Sequence, residues 1–145
     1  MKLSLIIVNH NACAFLKKAL NSLINACINI DYEFFVVDNA STDKSLEMLA
    51  NDFPGVQVIA NDTDEGIAKA SNQALKISTG EYILLVNADT ICGKDSLEKM
   101  CAFMDEHTDA GGLSVRMISP QGSFLPESIH GLDTTRRYHS GLKSG

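Results

Sequence analysis

Short apolar runs alternate along this chain with stretches of helical spacing, and polar turns separate them. Leu3 to Val8 is apolar, β-branched toward its end and bounded by Asn9, His10 and Asn11, which predicts a strand buried on both faces. From Ala12 the interval changes: Phe15, Leu16, Ala19, Leu20, Leu23, Ile24 and Cys27 recur at helical spacing, with Asn11 placed as an N-cap. The unit then repeats. Tyr32 to Val37 predicts a second strand, Asp38 to Ser41 a polar turn, and Leu46, Leu49 and Ala50 a shorter helix behind a Ser41 or Thr42 cap.

Val56 to Ala60 follows Pro54 and Gly55 as a third strand, and the polar Asn61 to Glu65 leads through Gly66 into a helix carrying Ile67, Ala70, Ala74 and Ile77. Gly80 stands as the C-cap of that helix. Tyr82 to Val86 predicts a fourth strand, Leu97, Met100, Cys101 and Met104 a further helix, and Leu113 to Ile118 a fifth strand turning at Pro120 and Gly122. Residues 129 to 145 have no periodicity, so poor order is expected there. Strands alternating with helices through short loops predict an α/β, Rossmann-like doubly wound fold, with a mostly parallel sheet and helices on both faces.

Composition narrows the partners more than the fold. With 145 residues the chain is one ordinary domain, and a formal charge of -6 with pI near 5.1 gives no general attraction to nucleic acid. Arg136, Arg137 and Lys143 form the only basic cluster, read as a solvated tail. Cys13, Cys27, Cys92 and Cys101 show no Cys-x-x-Cys pair and no His at zinc-ligand spacing, so they read as buried thiols in a reducing cytoplasm, with disulfide pairing the minor alternative. The amino-terminal apolar run is too short for a signal segment or a membrane span.

In sheets of this type ligands bind outside the carboxyl ends of the strands. That rule selects Asn9 to Asn11, Asp38 to Ser41, Asn61 to Gly66 and Asn87 to Asp89. Polar strand ends alone are ordinary, since Asn and Asp are common turn residues. Asn87-Ala88-Asp89, directly after Tyr-Ile-Leu-Leu-Val, adds a carboxylate beside a second oxygen ligand, a seat for a hard divalent ion that would neutralise a bound diphosphate. Asp89 alone leaves a second reading open, a cap on the following helix.

Four stretches in order, Leu5-Ile-Ile-Val-Asn-His-Asn11, Val36-Val-Asp-Asn-Ala-Ser-Thr-Asp43, Asp64-Glu-Gly-Ile-Ala-Lys-Ala-Ser-Asn72 and Gly80-Glu-Tyr-Ile-Leu-Leu-Val-Asn-Ala-Asp-Thr90, resemble the amino-terminal half of a family 2 glycosyltransferase of the GT-A fold. The resemblance implies that Asn87-Ala88-Asp89 stands at the family's Asp-x-Asp motif, with Asp89 and Asn87 at a Mg2+ or Mn2+ ion on the donor diphosphate. It implies that Asp38 reads a uracil or thymine base, with an Asx-type cap as the alternative. Backbone groups of Val8, Asn9, His10 and Asn11 would border base and ribose, and Gly66 would let the chain pass close to the nucleotide. Lys69 would face phosphate or base, or solvent. Where the family often has Asn and Gly, this chain has Asp64 and Ala74.

The family's general base lies in a later segment, and Glu127 and Asp133 match no acidic motif of the family, so no catalytic residue is assigned. The expectation is an incomplete nucleotide-sugar-binding domain over residues 1–128, followed by a poorly ordered tail over 129–145. The ending at Gly145 favours a piece of a longer, inverting, metal-dependent enzyme. Such an enzyme would use a UDP- or dTDP-sugar on a glycan or lipid-linked acceptor of cell-surface polysaccharide synthesis. It would work in the cytoplasm or at the inner membrane face. The alternative is a non-catalytic nucleotide-sugar-binding fragment. An uncovered sheet edge would favour a homodimer. A dehydrogenase-like reading is weak, because no Gly-x-Gly-x-x-Gly follows the first strand.

Overall fold

A computed structural model of the chain describes residues 1–119 and 121–125, with the backbone of two short strands, Leu132–Asp133 (β5) and Tyr138–His139 (β6). The chain divides into two units, Met1–Phe103 and Met104–Gly145. The first unit carries β1 (Leu3–Asn9), α1 (Cys13–Ala26), β2 (Tyr32–Asn39), α2 (Ser45–Asp52), β3 (Gln57–Asn61), α3 (Ile67–Leu75) and β4 (Tyr82–Asn87), and α4 (Ser96–Glu106) begins in it. Its four strands are all parallel, in the order β3-β2-β1-β4. Parallel neighbours need crossovers, and the helices of the alternating pattern supply them.

Strand alternation sorts the side chains into two layers. Leu5, Ile7, Phe34 and Val36 pack with Leu16, Leu20 and Leu23 of α1, Leu49 of α2, and Leu97 of α4. On the opposite face Ile6, Phe35 and Val37 meet Ala70 and Ala74 of α3. Central β1 and β2 are therefore buried on both faces, which is why they read as unbroken apolar runs.

Helices lie on both faces, as the pattern predicts, but they cover the sheet unevenly. α3 lies over β1 and β2. Tyr82, Leu84 and Val86 of the edge strand β4 pack into the larger core, while Ile83 and Leu85 on its other face are 40% and 55% exposed.

Several local expectations change. Gly80 is not a helix cap: α3 ends at Leu75 with Lys76 as its C-cap. A Cβ at Gly80 would lie 2.5 Å from the Ser4 backbone nitrogen, so this glycine permits a close crossing at the start of β4. Neither Ser41 nor Thr42 caps α2, whose N-cap is Lys44, because the loop ahead of it runs on to Asp43, which accepts from the Ser45 amide at 2.9 Å. Asn11 does not cap α1 either: Ala12 takes that place, and Asn11 adopts φ 51 and turns its side chain elsewhere.

The expected fifth strand is absent at Leu113–Met117 among the described residues. Ile118 makes an isolated antiparallel bridge to Phe124, around a turn with Gly122 at φ 83. Val115, Met117 and Ile118 are exposed, so burial gives this run no drive to join a sheet. Within residues 129–145, β5 and β6 pair antiparallel. The rest of that expected tail, and Glu127, Arg136, Arg137 and Lys143, lie outside the described residues.

Candidate functional site

Parallel register carries the four strand ends to one edge. Asn9 stands beside Asp38, Val8 beside Asn87, and Asn39 beside Asn61. The segments selected from the sequence are thus neighbours in space.

Asp38 is fully buried. One of its oxygens accepts from Asn9 Nδ2 at 2.7 Å and the other from the Ser41 amide at 2.9 Å. The Ser41 bond reaches three residues along the loop after β2, so Asp38 closes that loop and is not a cap on α2, which begins at Ser45. Asn9 Nδ2 also donates to Ser41 Oγ at 3.1 Å.

His10 is exposed, and its Nδ1 lies 2.6 Å from the Asn39 carbonyl oxygen. A carbonyl only accepts, so Nδ1 carries the proton, and Nε2 is left to accept from Asn11 Nδ2 at 3.3 Å. Asn11 Oδ1 accepts from the Thr42 amide at 2.7 Å and the Asp43 amide at 3.2 Å, and the Asn11 amide donates to Ser41 Oγ at 2.9 Å. Asp43 in turn accepts from the Cys13 amide at 2.9 Å, closing the first turn of α1. Desolvation raises the Asp43 pKa, but the neighbouring Ser45 hydroxyl, hydrogen bonds from the Cys13 and Ser45 amides and the nearby His10 outweigh it and hold the carboxyl below its ordinary value.

Sequence reasoning overlooked Asn39. Its side chain is buried, donating to Asp64 at 2.9 Å and accepting from Asn61 Nδ2 at 2.9 Å, while Asn61 and Gln73 exchange bonds of 2.9 and 3.0 Å. The period-2 alternation of β2 was the available signal, since it puts Phe35, Val37 and Asn39 on the α3 face. Asp64 also accepts from the Gly66 amide at 2.9 Å. Gly66 has φ 73 and nothing within 4 Å of a would-be Cβ, so its glycine is explained by backbone conformation. Lys69 forms an exposed i,i+4 ion pair with Glu65.

Beyond β4 the chain is more open. Asn87 and Asp89 are exposed and Ala88 half-buried, and the Thr90 amide donates to the Asn87 carbonyl at 3.2 Å. Asp89 is not the N-cap of α4, which starts only at Ser96. No group of three or more His, Cys, Asp or Glu side chains is arranged to hold a metal ion among the described residues. Two oxygen donors at Asn87 and Asp89 fit a hard divalent ion only where a diphosphate completes its shell.

A separate open groove of about 500 Å³ lies between the end of α1 and the start of α4, lined by Asn25, Ile28, Lys94 and Glu98 among others. It holds none of the strand-end residues. The four cysteines are free thiols, and burial, with Cys92 and Cys101 nearby, pushes the Cys27 thiol up to about 12. No helix among the described residues is long and apolar enough to cross a membrane.

Comparison with known proteins places the chain in a family. The chain is 32% identical over 133 residues to poly(ribitol-phosphate) beta-N-acetylglucosaminyltransferase TarS of Staphylococcus aureus, a match covering 89% of this chain and 23% of that protein. It is 36% identical over 112 residues to a poly(ribitol-phosphate) beta-glucosyltransferase of Bacillus spizizenii, covering 74% of this chain and 18% of the relative. The chain thus spans less than a quarter of these relatives. The crystal structure of S. aureus TarS 1-349 in complex with UDP-GlcNAc superposes with a TM-score of 0.65 at 32% identity, over 81% of this chain and 37% of that one. The model of the family described as Glycosyl transferase family 2 matches residues 4–142, and the chain belongs to that family, with its GT-A fold.

Proposed function

We propose that this chain is the donor-binding part of a glycosyltransferase that moves a sugar from a UDP- or dTDP-sugar to a glycan or lipid-linked acceptor. The observation that carries the reading is the edge itself, where a prearranged pair of loops after β1 and β2 faces an exposed Asn87-Ala88-Asp89 after β4. Its likeness to a protein whose crystal structure holds UDP-GlcNAc supports a uridine nucleotide.

Backbone groups of Val8, Asn9, His10 and Asn11 would border base and ribose, with Asp38 and Asn39 behind them. Gly66 and Lys69 would lie toward the nucleotide at the start of α3. Asp89 and Asn87 would hold Mg2+ or Mn2+ against the diphosphate, and the ion supplies charge neutralisation of the leaving group when bound. We assign inversion at the anomeric carbon, the cytoplasmic face as the place of action, and a homodimer through the uncovered face of β4 as parts of the same reading.

Calorimetric titration of UDP, dTDP and GDP with and without Mn2+, repeated on Asp89→Ala, tests it. Metal-dependent binding of a uridine or thymidine nucleotide that the substitution removes is the expected result. Equal binding of all three by wild type and variant would overturn the donor-site reading. A monomeric sedimentation profile at high concentration would remove the dimer.

A further inference from the structure

Residues 9 to 13 and 38 to 43 are joined across the edge of the sheet by a zipper that continues the β1–β2 register past the ends of the strands. Asn9 bonds to Asp38, His10 to the Asn39 carbonyl, Asn11 to Ser41, Thr42 and Asp43, and the Cys13 amide to Asp43. Two non-glycine residues with positive φ lie inside it, Asn11 at 51° and Ala40 at 56°. A side chain in that region costs free energy, and Ala40 has no side-chain hydrogen bond to offset it, so the surrounding bonds must hold the loop. Asn11 is the centre: its side-chain oxygen accepts from two backbone amides of the facing loop, and its backbone N–H donates to Ser41 Oγ.

We infer that the Asn11 side chain is a positioning group and not a nucleotide contact: it locks the β1 and β2 loops into one rigid wall of the donor site. Its side chain is turned along the zipper, and both ends of its amide are occupied. The wall it fixes includes the His10 ring and the Asn39 carbonyl, which move together if the loops separate. The nucleotide part of this inference rests on the proposed function; the lock itself does not.

Three variants separate the causes. Asn11→Gly keeps the positive φ without strain but removes the acceptor, Asn11→Ala loses both, and Asn11→Asp restores an acceptor. Amide hydrogen exchange in the full chain should show Thr42 and Asp43 exchanging at least about tenfold faster in Asn11→Gly, with protection returning in Asn11→Asp. UDP affinity in the presence of Mn2+ should fall roughly tenfold in Asn11→Gly, as partners one layer behind a site are worth about tenfold or more, and should recover toward wild type in Asn11→Asp.

Unchanged exchange at Thr42 and Asp43 in Asn11→Gly would overturn the lock. Faster exchange with unaltered UDP affinity would overturn the positioning role. If the wild type binds no nucleotide, the donor-site reading fails and the positioning role with it, while the exchange data still decide whether the lock exists.

Discussion

The two sides of the candidate site are built differently. On the β1–β2 side buried Asn9 and Asp38 and the Asn11 bonds tie two loops together, and Ala40 is held at φ 56. On the β4 side Asn87 and Asp89 stand exposed, with one backbone turn bond, Thr90 to Asn87, among the described residues. On the proposed function, the contrast matches what each side would bind. A flat base and a ribose are recognised by fixed surfaces, and a wall ordered in advance lowers the entropy lost on binding. A metal–diphosphate pair brings its own charge and ligands, so the protein needs only oxygen donors left free to meet it.

Substitutions on each side should therefore fail in different ways. The largest effect is expected at Asp38→Ala, which leaves one N–H of the buried Asn9 side-chain amide and the Ser41 backbone amide without an acceptor. Stability should fall by about 3 kcal/mol in denaturant titration. Intact stability with lost uridine-nucleotide binding would instead return Asp38 to the base-reading role implied by the family resemblance.

Asp89→Ala should do the opposite. Its melting temperature should stay close to wild type, while metal-dependent nucleotide affinity falls by about 100-fold, since even outer partners of a metal site are worth roughly 10- to 100-fold. A clear loss of stability would mean that the β4 side is structural after all.

Ala40→Gly gives a smaller change of opposite sign. Relief of left-handed strain of about 1–2 kcal/mol, less about 0.4–1 kcal/mol for the freer unfolded chain, should stabilise the protein by roughly 0.5–1 kcal/mol. Thermal unfolding followed by circular dichroism reads this out, and a destabilised variant would show that the Ala40 methyl packs favourably.

The smallest effect concerns pH. The Asp43 carboxyl is held below its ordinary value in the folded chain, so its contribution is present above the unfolded pKa, near about 4, and is lost as pH falls through the lower folded value. Asp43→Asn should therefore cost stability that is constant between about pH 5 and 7 and shrinks below about pH 4. A difference independent of pH down to full acid unfolding would assign the Asp43 contribution to hydrogen bonding that needs no charge.

Much of this was readable along the chain. The unbroken apolar run of β1 announced a strand buried on both faces, that of β2 a second strand, and the change of interval at Ala12 announced α1. The polar strand ends, with the rule that parallel sheets bind ligands at their carboxyl edge, pointed to loops that the register does bring together. Periodicity is a local consequence of burial, so a sequence carries it directly.

What the tertiary structure decided were the partners. Asn11 and Ser41 looked like helix caps because their side chains suit that role, yet each found acceptors or donors in a loop about 30 residues away. Gly80 looked like a C-cap, but it is glycine because Ser4 crosses it closely. Leu113 to Ile118 had the composition of a strand and lacked the burial that makes one. Local propensity sets which bonds a residue can make, and only the meeting of distant segments selects among them.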